Sequence, residues 1–140
     1  SRAFTGDRMI RQYFINQFVR AASGYDPKTY KVDAERVRLM ANSSVYVDYR
    51  NRINARDLGP ESQVSLRIKS IQFPEPNIAR VRLVKQTNVA SAASSSKDEV
   101  IDICFNFLDL NLTVEERLIN PLGFIALAFL YSVGKRGYRS

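Results

Sequence analysis

Few residues in this sequence could do chemistry. There is no histidine, which removes Ser-His-Asp and Cys-His activation of a nucleophile, and with them the commonest general base and metal ligand. The one cysteine, Cys104, can form no intrachain disulfide, and no Cys-x-x-Cys or Cys/His zinc spacing is present. Cys104 lies in an alternating apolar run, which suits a small sheet residue better than a reactive thiol. Asp98-Glu99 and Glu115-Glu116 are paired carboxylates. Neighbours in sequence point apart on a helix or strand, so these read as loop solubility and helix-start charge rather than an acid–base pair. No glycine-rich phosphate loop or nucleophile elbow appears. The expectation is a protein that is not an enzyme and that takes no cofactor or metal. Asp102 is the one strand carboxylate that could serve a cavity.

A different kind of signal lies at Glu116-Arg-Leu-Ile-Asn-Pro-Leu-Gly-Phe124. Pro121 fixes its own backbone and pushes Asn120 out of the helical region. Gly123 permits a backbone angle or a close approach that a side chain resists. Asn120, Pro121, Leu122 and Gly123 therefore form a rigid turn, and any function comes from presenting it to a partner. Replacing Asn120 by alanine is expected to cost less stability than placing a β-branched residue at Gly123.

The elements around this turn follow from periodicity. Met9, Ile10, Tyr13, Phe14, Phe18 and Ala21 or Ala22 recur at helical spacing over Thr5 to Ser23. Gly24 is the expected stop, through the left-handed conformation it tolerates, and Asp26-Pro27 marks a turn. A second helix is predicted from Asp33, acting as its cap, to about Asn42, with Val37 and Met40 inward. A third runs from a Ser44 cap to about Arg56, with Val45, Tyr49 and Ile53 as its stripe, and Gly59-Pro60 ends the helical half.

The period then changes. Val64, Leu66 and Ile68 alternate with polar residues, and the alternation slips near Ser70, which predicts a bulge before Ile71 and Phe73. Pro74 to Asn77 is a tight connection. A second strand, Ile78 to about Thr87, turns Ala79, Val81 and Leu83 inward. Ser91 to Ser96 reads as a flexible loop. A third strand sets Ile101, Ile103, Phe105 and Phe107 on one face and Asp102, Cys104 and Asn106 on the other. Thr113-Val-Glu-Glu116 fits a capping box. Phe124 to Val133 is a last apolar strand, and Gly134 to Ser140 a polar tail. Helices followed by an antiparallel meander imply an α+β fold, one helical layer on one face of a curved sheet.

Net charge is +7, with eleven Lys/Arg against five Asp/Glu in residues 1–56. No consecutive basic cluster occurs, so solvated helix faces are the better reading and nucleic-acid binding is not expected. The longest apolar run, Phe124 to Val133, is too short to span a membrane. The sequence does not begin with methionine, as expected of a piece cut from a longer protein.

Arg117 to Phe124 resembles the Asn-Pro-X-Gly motif, preceded by a basic residue and followed by Phe, of the bitopic inner-membrane component of bacterial type IV secretion systems, the eighth protein of the VirB operon. Phe18-Val-Arg20 with Tyr25-Asp26, Val45 to Tyr49, and Ala79-Arg-Val-Arg82 resemble further family segments in the same order, so the resemblance spans most of the chain. The sequence departs from the family in lacking tryptophan and in its nearly all-apolar Ile125 to Leu130. The resemblance implies a nuclear-transport-factor-2-like fold over residues 1–140. It implies one membrane helix before Ser1, with this domain in the periplasm at the inner membrane. It also implies an assembly role, through self-association as a homodimer and contacts with other secretion components. Tyr13, Gln17 and Arg20 are the expected dimer interface, since aromatic and arginine residues favour interface centres. The alternative is a small-ligand-binding or enzymatic member of the same cone-shaped fold, which needs an ionisable group facing inward.

Overall fold

The computed structural model describes residues 2–55, 61–89 and 93–133. In chain order the elements are α1 (Arg2–Ser23), α2 (Tyr30–Met40), α3 (Ser43–Ala55), β1 (Gln63–Glu75), β2 (Ile78–Asn88), β3 (Ser95–Phe107), α4 (Val114–Ile119) and β4 (Phe124–Val133). The four strands form one antiparallel meander in the order β1-β2-β3-β4. This is the expected α+β, nuclear-transport-factor-2-like arrangement. The Arg56 end of the third helix, the Gly59-Pro60 stop, the start of the Ser91 loop and the Gly134 to Ser140 tail lie outside the described residues.

Period-2 patterning fixes the sheet. Ala79, Val81 and Leu83 of β2 and Ile101, Ile103 and Phe105 of β3 are all buried on one face. The register of β1 on β2 slips between Ile68 and Ser70, where the alternation breaks in sequence. A second bulge lies in β4, opposite Cys104 and Phe105. It shifts the inward set from Phe124 and Ala126 to Phe129 and Tyr131. The apolar run of β4 thereby serves both faces of the sheet, which is why it shows no alternation. β3 begins earlier than expected: Ser95 and Ser96 pair with Thr87 and Gln86 instead of belonging to a loop.

The helices needed more correction. Only Phe14, Phe18, Ala21 and Ala22 of the expected α1 stripe are buried, joined by Ile15 and Val19, while Met9, Ile10 and Tyr13 are exposed. Core packing on α1 begins at Phe14, so Met9, Ile10 and Tyr13 before it face solvent. Gly24 ends α1 without a positive φ, since Gly123 is the only glycine with one among the described residues. The reason for glycine is space: a Cβ there would lie 2.7 Å from the Arg20 carbonyl oxygen and 3.3 Å from that of Val64. The next residue, Tyr25, exchanges two backbone hydrogen bonds with Val64 of β1 (2.9 and 2.8 Å).

Asp33 does not cap α2. The helix starts a turn earlier, after Thr29, and the Thr29 hydroxyl donates to Asp33 instead (2.9 Å). Ser44 does not cap α3 either. The Asn42 side-chain oxygen accepts from the Val45 N–H (2.9 Å), while the Asn42 backbone N–H and side-chain amide donate to the carbonyls of Ala126 and Leu127 on β4. Asparagine wins because it caps the helix and docks it on the sheet at once. Val37, Met40, Val45 and Tyr49 face inward as expected.

Candidate functional site

The Asn120 turn is built from α4 outward. The capping box forms: Thr113 Oγ1 accepts from the Glu116 N–H (3.1 Å), and the Glu116 carboxylate accepts from the Thr113 N–H (2.9 Å). The Thr113 backbone bond, aided by Arg38, holds the Glu116 carboxyl below its ordinary value. Arg38 of α2 lies 3.3 Å from Glu116 and 2.6 Å from Glu35, so α2 and α4 are tied by charge across the surface.

Asn120 then ends α4, and its side chain is fully buried. Its Oδ1 accepts from the Phe124 N–H (2.9 Å); its Nδ2 donates to the Phe124 carbonyl (2.9 Å) and to the Leu39 carbonyl (3.0 Å). One amide thus imitates a strand neighbour for Phe124 and satisfies a carbonyl at the C-terminus of α2 that has no partner within its helix. The carboxamide orientation is set by this network, with two carbonyl oxygens facing the NH₂.

Gly123 has φ +67°, and a Cβ there would lie 1.8 Å from the Leu108 carbonyl oxygen. The Leu108 N–H donates to the Gly123 carbonyl at 2.8 Å. Phe124 follows, buried between the near-parallel rings of Phe14 (6.1 Å) and Phe105 (5.6 Å), with Phe18 and Phe107 at its edges. Asn120 and Gly123 are therefore internal fasteners. Pro121 and Leu122 are exposed, and so are Val114 and Leu118, four residues apart on α4, at 80% and 78%. That four-residue spacing is readable in the sequence, but it looks like an inward stripe until the structure shows that α4 buries no side chain.

Tyr13, Gln17 and Arg20 share a helix face by their spacing. Tyr13 is 57% exposed and stacks edge-on against Phe14. Gln17 is half-buried. Arg20 is exposed but engaged, donating to Asn16 (2.9 Å) and to the Leu66 carbonyl on β1 (3.1 Å).

Asp102 does not face into the cone. It lies on the outer sheet face in a two-bond pair with Arg80 (2.9 and 3.0 Å). The inward acid is Glu99, which sequence reasoning placed in a solvated pair. It is two residues before Ile101, so its alternation with Ile101 and Ile103 was the signal. Lys85 Nζ sits 3.1 Å from Glu99 Oε1. That oxygen accepts no aligned hydrogen bond, so charge rather than geometry holds the pair. The Lys85 ammonium also lies over the Tyr131 ring (5.0 Å), and the Tyr131 hydroxyl shares a hydrogen bond with Ser23 (2.8 Å). Among the described residues no cluster of three or more His, Cys, Asp or Glu could hold a metal.

Residues 1–132 match the model of the family described as VirB8 protein. The chain belongs to the VirB8 family. Among curated relatives, the type IV secretion system protein PtlE of Bordetella pertussis is 29% identical over 136 residues, covering 91% of this chain and 58% of PtlE. The chain thus spans little more than half of that VirB8 relative. Among solved structures, a TrwG component of the type IV secretion system of Bartonella birtlesii superposes with a TM-score of 0.83 at 22% identity, covering 90% of this chain and 92% of that one. A TraE protein, solved in complex with 4-(1H-pyrrol-1-yl)pyridine-2-carboxylic acid, gives 0.80 at 22% identity, covering 90% and 96%. These structures share the fold.

Proposed function

We propose that this chain is the periplasmic domain of an inner-membrane assembly factor, held there by a membrane helix preceding Ser1, and that it works as a scaffold rather than as a catalyst. No helix among the described residues is long and apolar enough to cross a membrane. The observation that carries the reading is the division of labour in the Asn120 turn. Its two conformationally demanding residues, Asn120 and Gly123, are buried, while Pro121 and Leu122 of the turn and Val114 and Leu118 of the preceding helix are exposed. A turn braced this firmly holds an apolar surface in one geometry, which is what a docking site for another secretion component needs. Self-association is assigned to the exposed face of α1 that carries Tyr13, Gln17 and Arg20, with Met9 and Ile10 adding apolar area nearby. The test is Leu118→Lys with Leu122→Lys in the membrane-anchored protein. Thermal melts of the isolated domain should be unchanged, while co-purification with the other secretion components is lost. Intact co-purification would refute the docking surface.

A second reading, small-ligand binding, draws on the TraE complex. Here a groove of about 320 Å³ lies between α1 and the β1–β2 hairpin, lined by Asp7, Arg8, Arg11, Phe73 and Glu75 among others. Arg8 and the Phe73 ring suit an aromatic carboxylate, which would compete with Asp7 for Arg11 (3.1 Å). Amide shifts in a titration with that pyridine carboxylic acid should map to Arg11 and Phe73. Shifts elsewhere, or none, would discard this reading.

A further inference from the structure

A cavity of about 200 Å³ opens where the end of α1 meets the start of α2 and the first residues of β1. It is lined by charges of both signs. Arg20 belongs to the β1 wall, beside Val64 and Leu66. Its Nε donates to Asn16 (2.9 Å) and its Nη1 to the Leu66 carbonyl (3.1 Å), which fixes the guanidinium, while Nη2 takes no acceptor among the described residues. Asp26, from the turn after α1, and Asp33, from α2, bring the opposite charge. Asp26 Oδ1 accepts from the Lys28 N–H (2.9 Å), and Asp33 Oδ2 accepts from the Thr29 hydroxyl (2.9 Å). The second oxygen of each carboxylate is left for the cavity. Neither carboxylate is in an ion pair among the described residues, and Arg36 acts on Asp33 only at longer range. Burial, more than the nearby Asp26, raises the Asp33 carboxyl above its ordinary value, as expected of an acid that lacks a close counter-charge. Tyr25 adds a ring to the wall, braced against Tyr30 at 5.9 Å, and a ring face attracts an ammonium. Gly24 puts the C-terminus of α1 there too, where the helix dipole favours a cation.

We propose that this cavity binds a small amino-acid zwitterion, its carboxylate on Arg20 and its ammonium between Asp26, Asp33 and the Tyr25 ring. Charge selects the ligand. A simple cation would meet the guanidinium of Arg20, and a simple anion would meet two carboxylates. A molecule that carries both charges satisfies both walls, each through a charge-assisted hydrogen bond. Val64 and Leu66 leave room for an apolar stem between the two ends. The cavity lies apart from the Asn120 turn and shares only Arg20 with the face assigned to self-association, so the inference goes beyond the function proposed above.

The test is an NMR titration of the 140-residue chain at constant ionic strength and millimolar ligand. Glycine, β-alanine and γ-aminobutyrate serve as zwitterions of growing length, with methylammonium and acetate as single-charge probes. Amide shifts should gather at Tyr25, Asp33 and Leu66, and at least one amino acid should bind about tenfold more tightly than methylammonium or acetate. Arg20→Gln and Asp33→Asn should each weaken that amino acid about tenfold. Asp33 lies outside the self-association face, so its variant reads the cavity alone. No shift at these amides overturns the site. Methylammonium or acetate binding as tightly as every amino acid overturns the zwitterion, and so does full affinity in both variants. The comparison of probes uses the wild-type chain, so it decides the matter even where a variant fails to fold.

Discussion

Replacing Asn120 by alanine removes three hydrogen bonds made by one buried amide, to the Phe124 N–H, the Phe124 carbonyl and the Leu39 carbonyl. Each is worth roughly 1 kcal/mol net, and leaving the Phe124 N–H without an acceptor adds about 1–3 kcal/mol. The expected loss is thus about 4–6 kcal/mol, a large share of the roughly 5–15 kcal/mol that holds a domain folded. The melting temperature should fall by about 14–20 °C. This is no smaller than the cost worked below for Gly123→Val, whereas the sequence alone led to the expectation that Asn120 is the cheaper position to change. Asn120→Asp sharpens the test. The carboxylate keeps an acceptor for Phe124 N–H but turns its second oxygen toward two carbonyl oxygens. At neutral pH it should be at least as damaging as alanine, and it should recover part of the loss near pH 3–4, once protonated and able to donate. The assay is urea unfolding of both variants, with the midpoint and slope fitted separately. A loss under about 1 kcal/mol for Asn120→Ala, at unchanged slope, would refute the fastening role.

Gly123→Val should cost about 3–5 kcal/mol, from the positive φ and the overlap with the Leu108 carbonyl; a soluble variant with a near-native melt would show that the Leu108 segment can move aside. Glu116 is held below its ordinary value, so its contribution is present above that value and disappears as pH falls through the lowered one. Melts of wild type and Glu116→Gln should therefore differ at pH 7 and converge as pH falls through the lowered value. Glu99→Gln should destabilise by about 3 kcal/mol by leaving Lys85 without its counter-charge, whereas Glu99→Leu with Lys85→Met should be nearly neutral; a double-mutant cycle decides this, and additive effects would show that the pair is not coupled.

The sheet was legible because its signals are local. A period of two places Ala79, Val81, Leu83, Ile101, Ile103 and Phe105 on one face, and the slip near Ser70 shows as a break in that period. The capping box at Thr113 was equally readable, since both partners lie within four residues. What sequence could not show was set by distant partners. Helical periodicity on α1 cannot say where the sheet ends beneath it, so Met9 and Ile10 joined the same expected stripe as Phe14. Asn42 outbids Ser44 as a cap only because β4, more than eighty residues on, takes its other hydrogen bonds. The same holds for the candidate site: Pro121 and Gly123 announced a turn, but the partner of Asn120 is Leu39, 81 residues away, and no local pattern names it.

The rings that cover the first helix come from the last strand. Phe14 and Phe18 close on Phe124, and Phe18 also on Phe129, while Leu39 waits for Asn120. During synthesis the helical half is complete long before any of these partners exists. Its apolar face can find only transient cover until nearly the whole chain has been made, so the domain has no stable N-terminal fragment on which to begin. A chain cut short before Phe124 should therefore be a substrate for chaperones and proteases rather than a smaller folded domain.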